Sequence, residues 1–158
     1  MRQITLVVVF TALALLTPAV SFGDQKTLSQ TDLDSLRTVV FTRFVQTDSF
    51  PTNLIFLQFE DGSDPSATFM TNIAVSVPQA LKASLATRSP KGGQIVHAAT
   101  GRPGVLLRIY KISSPVGGRL EVTVSYDLFS LGCGSMTYVV AREGAGWKIL
   151  KETPGPQG

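Results

Sequence analysis

The sequence predicts an α+β fold in which one N-terminal helix packs on a curved antiparallel β-meander, behind a cleaved signal peptide. Three observations carry this. Residues 104–152 alternate apolar and polar positions between short glycine-bearing turns, residues 31–46 repeat apolar side chains at spacings of three and four, and residues 4–16 are almost unbrokenly apolar after a basic start.

Met1-Arg2-Gln3 opens the chain, Ile4 to Leu16 is interrupted by Thr5 and Thr11, and Pro18 ends the run. Ser21-Phe22-Gly23 then puts small residues where a signal peptidase reads. Such a run is too short and wrongly flanked for a permanent span, so export is expected over the competing reading, an uncleaved anchor. The division that follows is a signal peptide over 1–23, a single α+β domain over 24–153 and a flexible tail over 154–158. The protein is then periplasmic or secreted, with no stable membrane span after cleavage. No cysteine stands directly after the apolar run, which argues against a lipoprotein anchor.

Thr31 to Gln46 is expected to be the principal helix. Ser29 or Thr31 can cap it, and Asp32 and Asp34 place negative charge in the first turn, where the dipole favours it. Leu33, Leu36, Val40 and Phe44 form its stripe, broadened by Val39, Phe41 and Val45. A strand follows over Leu54 to Glu60. Asp64 is then the expected N-cap of a short helix carrying Phe69, Met70 and Ile73, with Pro65 at its first position. Pro78 to Thr87 is expected to be a further helix, with Leu81 and Leu85 four apart, and Gln94 to Ala98 a strand.

In the meander, Val105 to Ile112 is apolar on both sides and is expected to lie inside the sheet, covered on both faces. Arg119 to Phe129 places Leu120, Val122, Val124, Tyr126 and Leu128 on one face and Arg119, Glu121, Thr123, Ser125 and Asp127 on the other. Strands over Ser135 to Arg142 and Trp147 to Lys151 are joined by Glu143-Gly144-Ala145-Gly146. Loops this short require antiparallel order.

The chain's pattern of helix, strand, small helices and meander, ending in Tyr138 to Ile149, resembles the cystatin-like and ketosteroid-isomerase-like cone folds. It is also similar to uncharacterised exported bacterial proteins that carry Asp-Pro-Ser after the first strand and Thr-Gly-x-x-Gly before the meander. Those pieces are Asp64-Pro65-Ser66 and Thr100-Gly101-Arg102-Pro103-Gly104. The resemblance implies a curved antiparallel sheet wrapped around the long helix. It brings no catalytic residues, because the superfamily's catalytic Tyr and Asp match no identifiable positions.

The chemistry that composition permits is narrow. The net charge of +3, which loses Arg2 with the leader, is too weak and too dispersed for nucleic acid. One histidine, His97, would have to serve any Ser-His-Asp or Cys-His arrangement, and a strand or turn histidine making one hydrogen bond is the simpler expectation. With a single cysteine no internal disulfide forms; Cys133 is either buried or paired with another molecule, and burial is expected. No metal set is present: His97 and Cys133 stand apart, and Asp61, Ser63 and Asp64 lack the calcium-loop spacing and read as cap and turn. Gly132 and Gly134 suit a bulge or tight turn rather than a phosphate loop.

The expectation is therefore a non-catalytic binding or protein-interaction domain with no cofactor, acting on a protein or small-molecule ligand and admitting a homodimer. The competing reading is a lyase- or isomerase-type enzyme with its pocket inside the cone. The candidates to orient a ligand are His97, Arg102, Arg108, Tyr110, Tyr126, Asp127 and Tyr138, the polar groups nearest the expected concavity. The tyrosines equally suit core positions with a hydroxyl at the rim.

Overall fold

The computed structural model describes residues 28–48, 50, 54–90, 92–113, 117–128 and 132–158. The expected signal peptide lies outside them. What they form is an α+β fold: two helices on one face of an open, mostly antiparallel six-stranded sheet, with a two-stranded ribbon on the other face.

Helix α1 spans Gln30–Thr47 and is capped by Ser29, whose hydroxyl accepts from the Asp32 N–H at 3.1 Å. Its stripe is buried at Leu36, Val40, Phe41 and Phe44. Strand β1 (Ile55–Gln58) leads into α2 (Ala67–Ile73), which packs Phe69 and Ile73 into the same core. The cap of α2 is Ser66, accepting from the Phe69 N–H at 3.1 Å, and not Asp64. Asp64 instead accepts from the Ser84 N–H at 2.9 Å, fastening this loop to the chain twenty residues on.

The expected helix over Pro78 to Thr87 is absent. In its place are β2 (Ala80–Lys82), a single 3-10 turn at Ala83–Leu85, and β3 (Ala86–Arg88). Leu81 and Leu85, though four apart, have no helix-deep core to fill, and Leu85 is 41% exposed. Pairing of β2 with β1 supplies backbone bonds that an isolated short helix could not match. β3 and β4 (Ile95–His97) then form the antiparallel ribbon.

The meander follows as β5 (Val105–Ile112), β6 (Arg119–Asp127), β7 (Cys133–Glu143) and β8 (Gly146–Gln157), each antiparallel to the last. β7 and β8 turn through Gly144-Ala145 alone, and Gly144 takes a φ of +61°, a backbone conformation glycine adopts freely. Residues 154–158, expected to fray, continue the sheet: β8 runs to Gln157, and Gly158 exchanges two 3.0 Å backbone bonds with Cys133.

The sheet order is β2-β1-β5-β6-β7-β8, with β1 parallel to both neighbours. That mixed edge is not part of the expected antiparallel order, and it decides where the connections go. From β1 to β2 the chain steps outward along the sheet, and from β2 to β5 it steps back across β1. Crossovers between parallel strands are right-handed, so opposite steps put their connections on opposite faces. Accordingly α2 packs beside α1, with Phe41 and Phe69 edge to face at 6.5 Å, while the ribbon covers Phe56 on the other side.

The helix-side core is dense. Leu107 and Ile109 of β5, Leu120, Val122 and Val124 of β6, and Tyr138 and Val140 of β7 all lie in it, fully or almost fully buried. Polar fastenings hold its rim. Arg37, itself buried, reaches Glu60 through Nη2 at 2.5 Å and Asp34 through Nη1 at 3.0 Å, with its guanidinium 3.8 Å from the centre of the Phe59 ring. In the first turn of α1, Arg142 pairs with Asp32, and Trp147 Nε1 donates to the Asp32 carbonyl at 3.1 Å. The arginine holds the Asp32 carboxyl below its usual range, mainly through that hydrogen bond.

Core and edge make opposite demands on side chains of equal size. Leu107→Ala is expected to cost about 2–5 kcal/mol by urea unfolding, because the cavity left behind cannot collapse. Leu150, 46% exposed on β8, changed to Ala should shift stability by less than about 0.5 kcal/mol.

Candidate functional site

Depressions formed by the described residues lie on the face away from the helices, where the ribbon stops short. Two of them, about 450 and 510 Å³, share Leu106 and Arg108 as a common wall. The first is bordered by the outer side chains of β5 and β6 and the start of β7, the second by the ribbon, Gln58 and Asp64. Both volumes fall in the range of small-molecule sites.

β5 builds the shared wall. Alternation sends Val105, Leu107 and Ile109 into the core and Leu106, Arg108 and Tyr110 outward. Ile109 pairs with Val124 but Lys111 pairs with Thr123, so Tyr110 is an extra residue, a β-bulge. The bulge changes the phase of the strand: Ile112 turns back to the core while Tyr110 and Lys111 both stay out. Tyr110 stands 68% exposed beside the depression as a result. The expectation that β5 would be covered on both faces therefore holds only at its start. The ribbon buries Phe56 and half-covers Leu106, but does not reach Arg108 or Tyr110.

Arg108 Nε donates to Gln58 Oε1 at 2.5 Å, across the parallel β1–β5 pair where the two residues are in register. Gln58 in turn donates to the Gly62 carbonyl at 2.9 Å, so the acceptor that orients the guanidinium is itself held. The acid of the first depression, Asp127, pairs with Arg88 of the ribbon at 3.0 Å, a link from the main sheet to β3. Among the described residues Arg108 has no carboxylate partner.

Cys133 is exposed and lines the first depression, against the expectation of burial. It begins β7 opposite Asp127 at the end of the sheet, beyond the reach of the core. Next to it Gly134 leaves room for Tyr126, since a Cβ there would come within 2.7–2.9 Å of the Tyr126 ring and hydroxyl.

Arg108, Tyr110 and Asp127 thus meet at one depression, which Tyr126 only borders, its ring packing on the helix side 6.0 Å from that of Phe44 and 5.7 Å from that of Phe50. His97 and Arg102 do not join them. His97 lies in β4 with its ring 6.3 Å from that of Phe56, and Nδ1 accepts from the Ala99 N–H at 3.3 Å; its backbone N–H bonds the Arg102 carbonyl at 2.9 Å. Residues missing from the sequence reading are Arg88 and Gln58. The phase change at Ile109-Tyr110-Lys111-Ile112 was the signal that could have marked the bulge. Asp61 closes its own turn by accepting from the Ser63 N–H at 2.9 Å, and among the described residues no three His, Cys, Asp or Glu side chains gather as a metal set would.

Tyr138 sits on the other face, wholly buried between α1 and the sheet, where the concavity was expected. A second bulge at Leu150 turns Glu152 inward opposite Tyr138, and Glu152 takes Arg43 Nε at 2.6 Å. Among the described residues the Tyr138 hydroxyl makes no hydrogen bond of ordinary geometry, and burial pushes its pKa far up, reinforced by Glu152 and Asp48 and opposed by the Thr47 side chain. Asp48, at the C-cap of α1, is also raised, first by burial and then by Glu152.

Two substitutions read out this region. Tyr138→Phe removes an unpaired buried hydroxyl and should leave stability unchanged or raise it by about 1 kcal/mol; a loss in urea unfolding would mean the hydroxyl is bonded in solution. For Asp48 the folded state holds the proton more tightly than the unfolded one. Its contribution is therefore complete below the ordinary carboxylate range and is lost as pH rises through the raised folded value. Asp48→Asn, which also removes negative charge from a helix C-terminus, should stabilise the protein at pH 7 by roughly 0.3–1 kcal/mol and flatten that limb of the stability–pH curve. No protein-family model matches the chain, and neither a curated protein nor a solved structure shows significant similarity to it.

Proposed function

We propose that this is an exported binding domain, acting through the depressions on the open face of its sheet. The observation that carries the reading is the bulge at Tyr110: it sets an aromatic ring in solvent beside Arg108 and above a depression, a costly placement for a side chain that could have been buried. Binding is favoured over catalysis by what surrounds the candidate bases. The ring of His97 lies against Phe56, and the volume between helix and sheet, where an isomerase-type pocket would open, is filled by Phe41, Phe44, Val124 and Tyr138.

A relation to the cone folds belongs to the same proposal. What supports it is α1 laid on a meander of four strands in the expected order; the parallel pairing of β1 departs from it. Export rests on the basic start, apolar run and small residues of positions 1–23. Among the described residues no helix is long and apolar enough to cross a membrane.

Two measurements test the proposal. N-terminal sequencing of the protein recovered from outside the cytoplasm should begin at Asp24, and an intact Met1 there would refute cleavage. Native mass spectrometry of protein purified from its own host should find a bound molecule or partner whose occupancy falls several-fold in Arg108→Gln/Tyr110→Ala. Undiminished occupancy in that variant would move the site elsewhere.

A further inference from the structure

Resting on that reading, the geometry points to a ligand class: a small organic anion with an apolar body, its carboxylate or sulfonate taken by Arg108. A guanidinium presents five N–H donors in a planar fork suited to two-oxygen anions. Here Gln58 occupies Nε at 2.5 Å and sets the plane. Neither terminal nitrogen has an acceptor among the described residues, so the pair of donors that grips an oxyanion is oriented and open.

The local charges favour an anion. At the first depression and its rim Asp127 pairs with Arg88 at 3.0 Å, while Arg108 has no carboxylate side-chain partner among the described residues. Asp64, at the second depression, is engaged by the Ser84 N–H. The walls that an apolar body would meet are Leu106, Tyr110 and Pro156, all at the first depression. An inorganic anion would leave those walls wet, whereas an uncharged hydrophobe would leave Arg108 unused. An amphipathic acid satisfies both, and a tyrosine ring at the rim is the group best suited to lie against it.

Cys133 supplies a reporter, because its exposed thiol lines the same depression. The test titrates the mature protein with 1-anilinonaphthalene-8-sulfonate and with N-phenyl-1-naphthylamine, the same rings without the sulfonate. Binding is read by fluorescence and by the rate of Cys133 alkylation with N-ethylmaleimide. The sulfonate should bind at one equivalent, slow alkylation several-fold and lose at least tenfold in affinity in Arg108→Gln, with the neutral probe unaffected by that change. Arg108→Lys, which keeps the charge and loses the fork, should fall between, with circular dichroism melts showing both variants folded. If both probes slow alkylation alike and Arg108→Gln alters neither, the anion assignment fails while the binding site stands. If neither probe slows alkylation, the site itself is refuted.

Discussion

The arrangement depends on one constraint, the position of β5 between β1 and β6. A strand that enters the sheet there, parallel to β1, must be reached from β2 by crossing β1, and a crossover of fixed hand has one face available. The face left over by α2 is the one away from the helices. The ribbon β3–β4 lies there for that reason, and the depressions exist because so short a ribbon covers β1 and the start of β5 and no more. Helix-side packing and open-face concavity are two results of one topological step.

Bulges complete the division of labour between faces. Regular alternation along β5 and β8 would have sent Lys111 and Lys151 into the core. One extra residue at Tyr110 and another at Leu150 reset the phase, so that Ile112 and Glu152 point inward and the lysines stay wet. At β5 the extra residue also supplies the exposed ring of the candidate site. On the helix side, by contrast, Tyr138 is locked into the core, near the raised carboxyl of Asp48.

Much of this was legible in residue order. The stripe of α1, the alternation of β6 and the two-residue turn after Glu143 are local patterns whose periods differ by type of element, and each leads to the element observed. Gly132 suits the turn expected of it, with a φ of +119° and its carbonyl accepting from the Leu128 N–H at 3.0 Å, whereas Gly134, read the same way, instead makes room for Tyr126. Short segments were less readable. Leu81 and Leu85 suit a helix or a strand and turn equally, and the choice fell to β1, a partner 25 residues earlier in the chain. Cys133 was expected inside on its residue type, but its place at the end of the sheet put it outside.

Sequence by itself determined the class of fold, the helix and a choice of two caps for it, the four meander strands and the narrowness of the available chemistry, because each is set by neighbours within a few positions. Of the nominated site residues it could say that they were polar and near a sheet, not which face they would share. Tertiary structure separated Tyr138 from Arg108, Tyr110 and Asp127, joined Arg88 and Gln58 to the latter group, and set His97 against Phe56. Those outcomes turn on strand order and on single-residue slips in register, which no local period encodes. A slip of one residue exchanges the two faces of a strand.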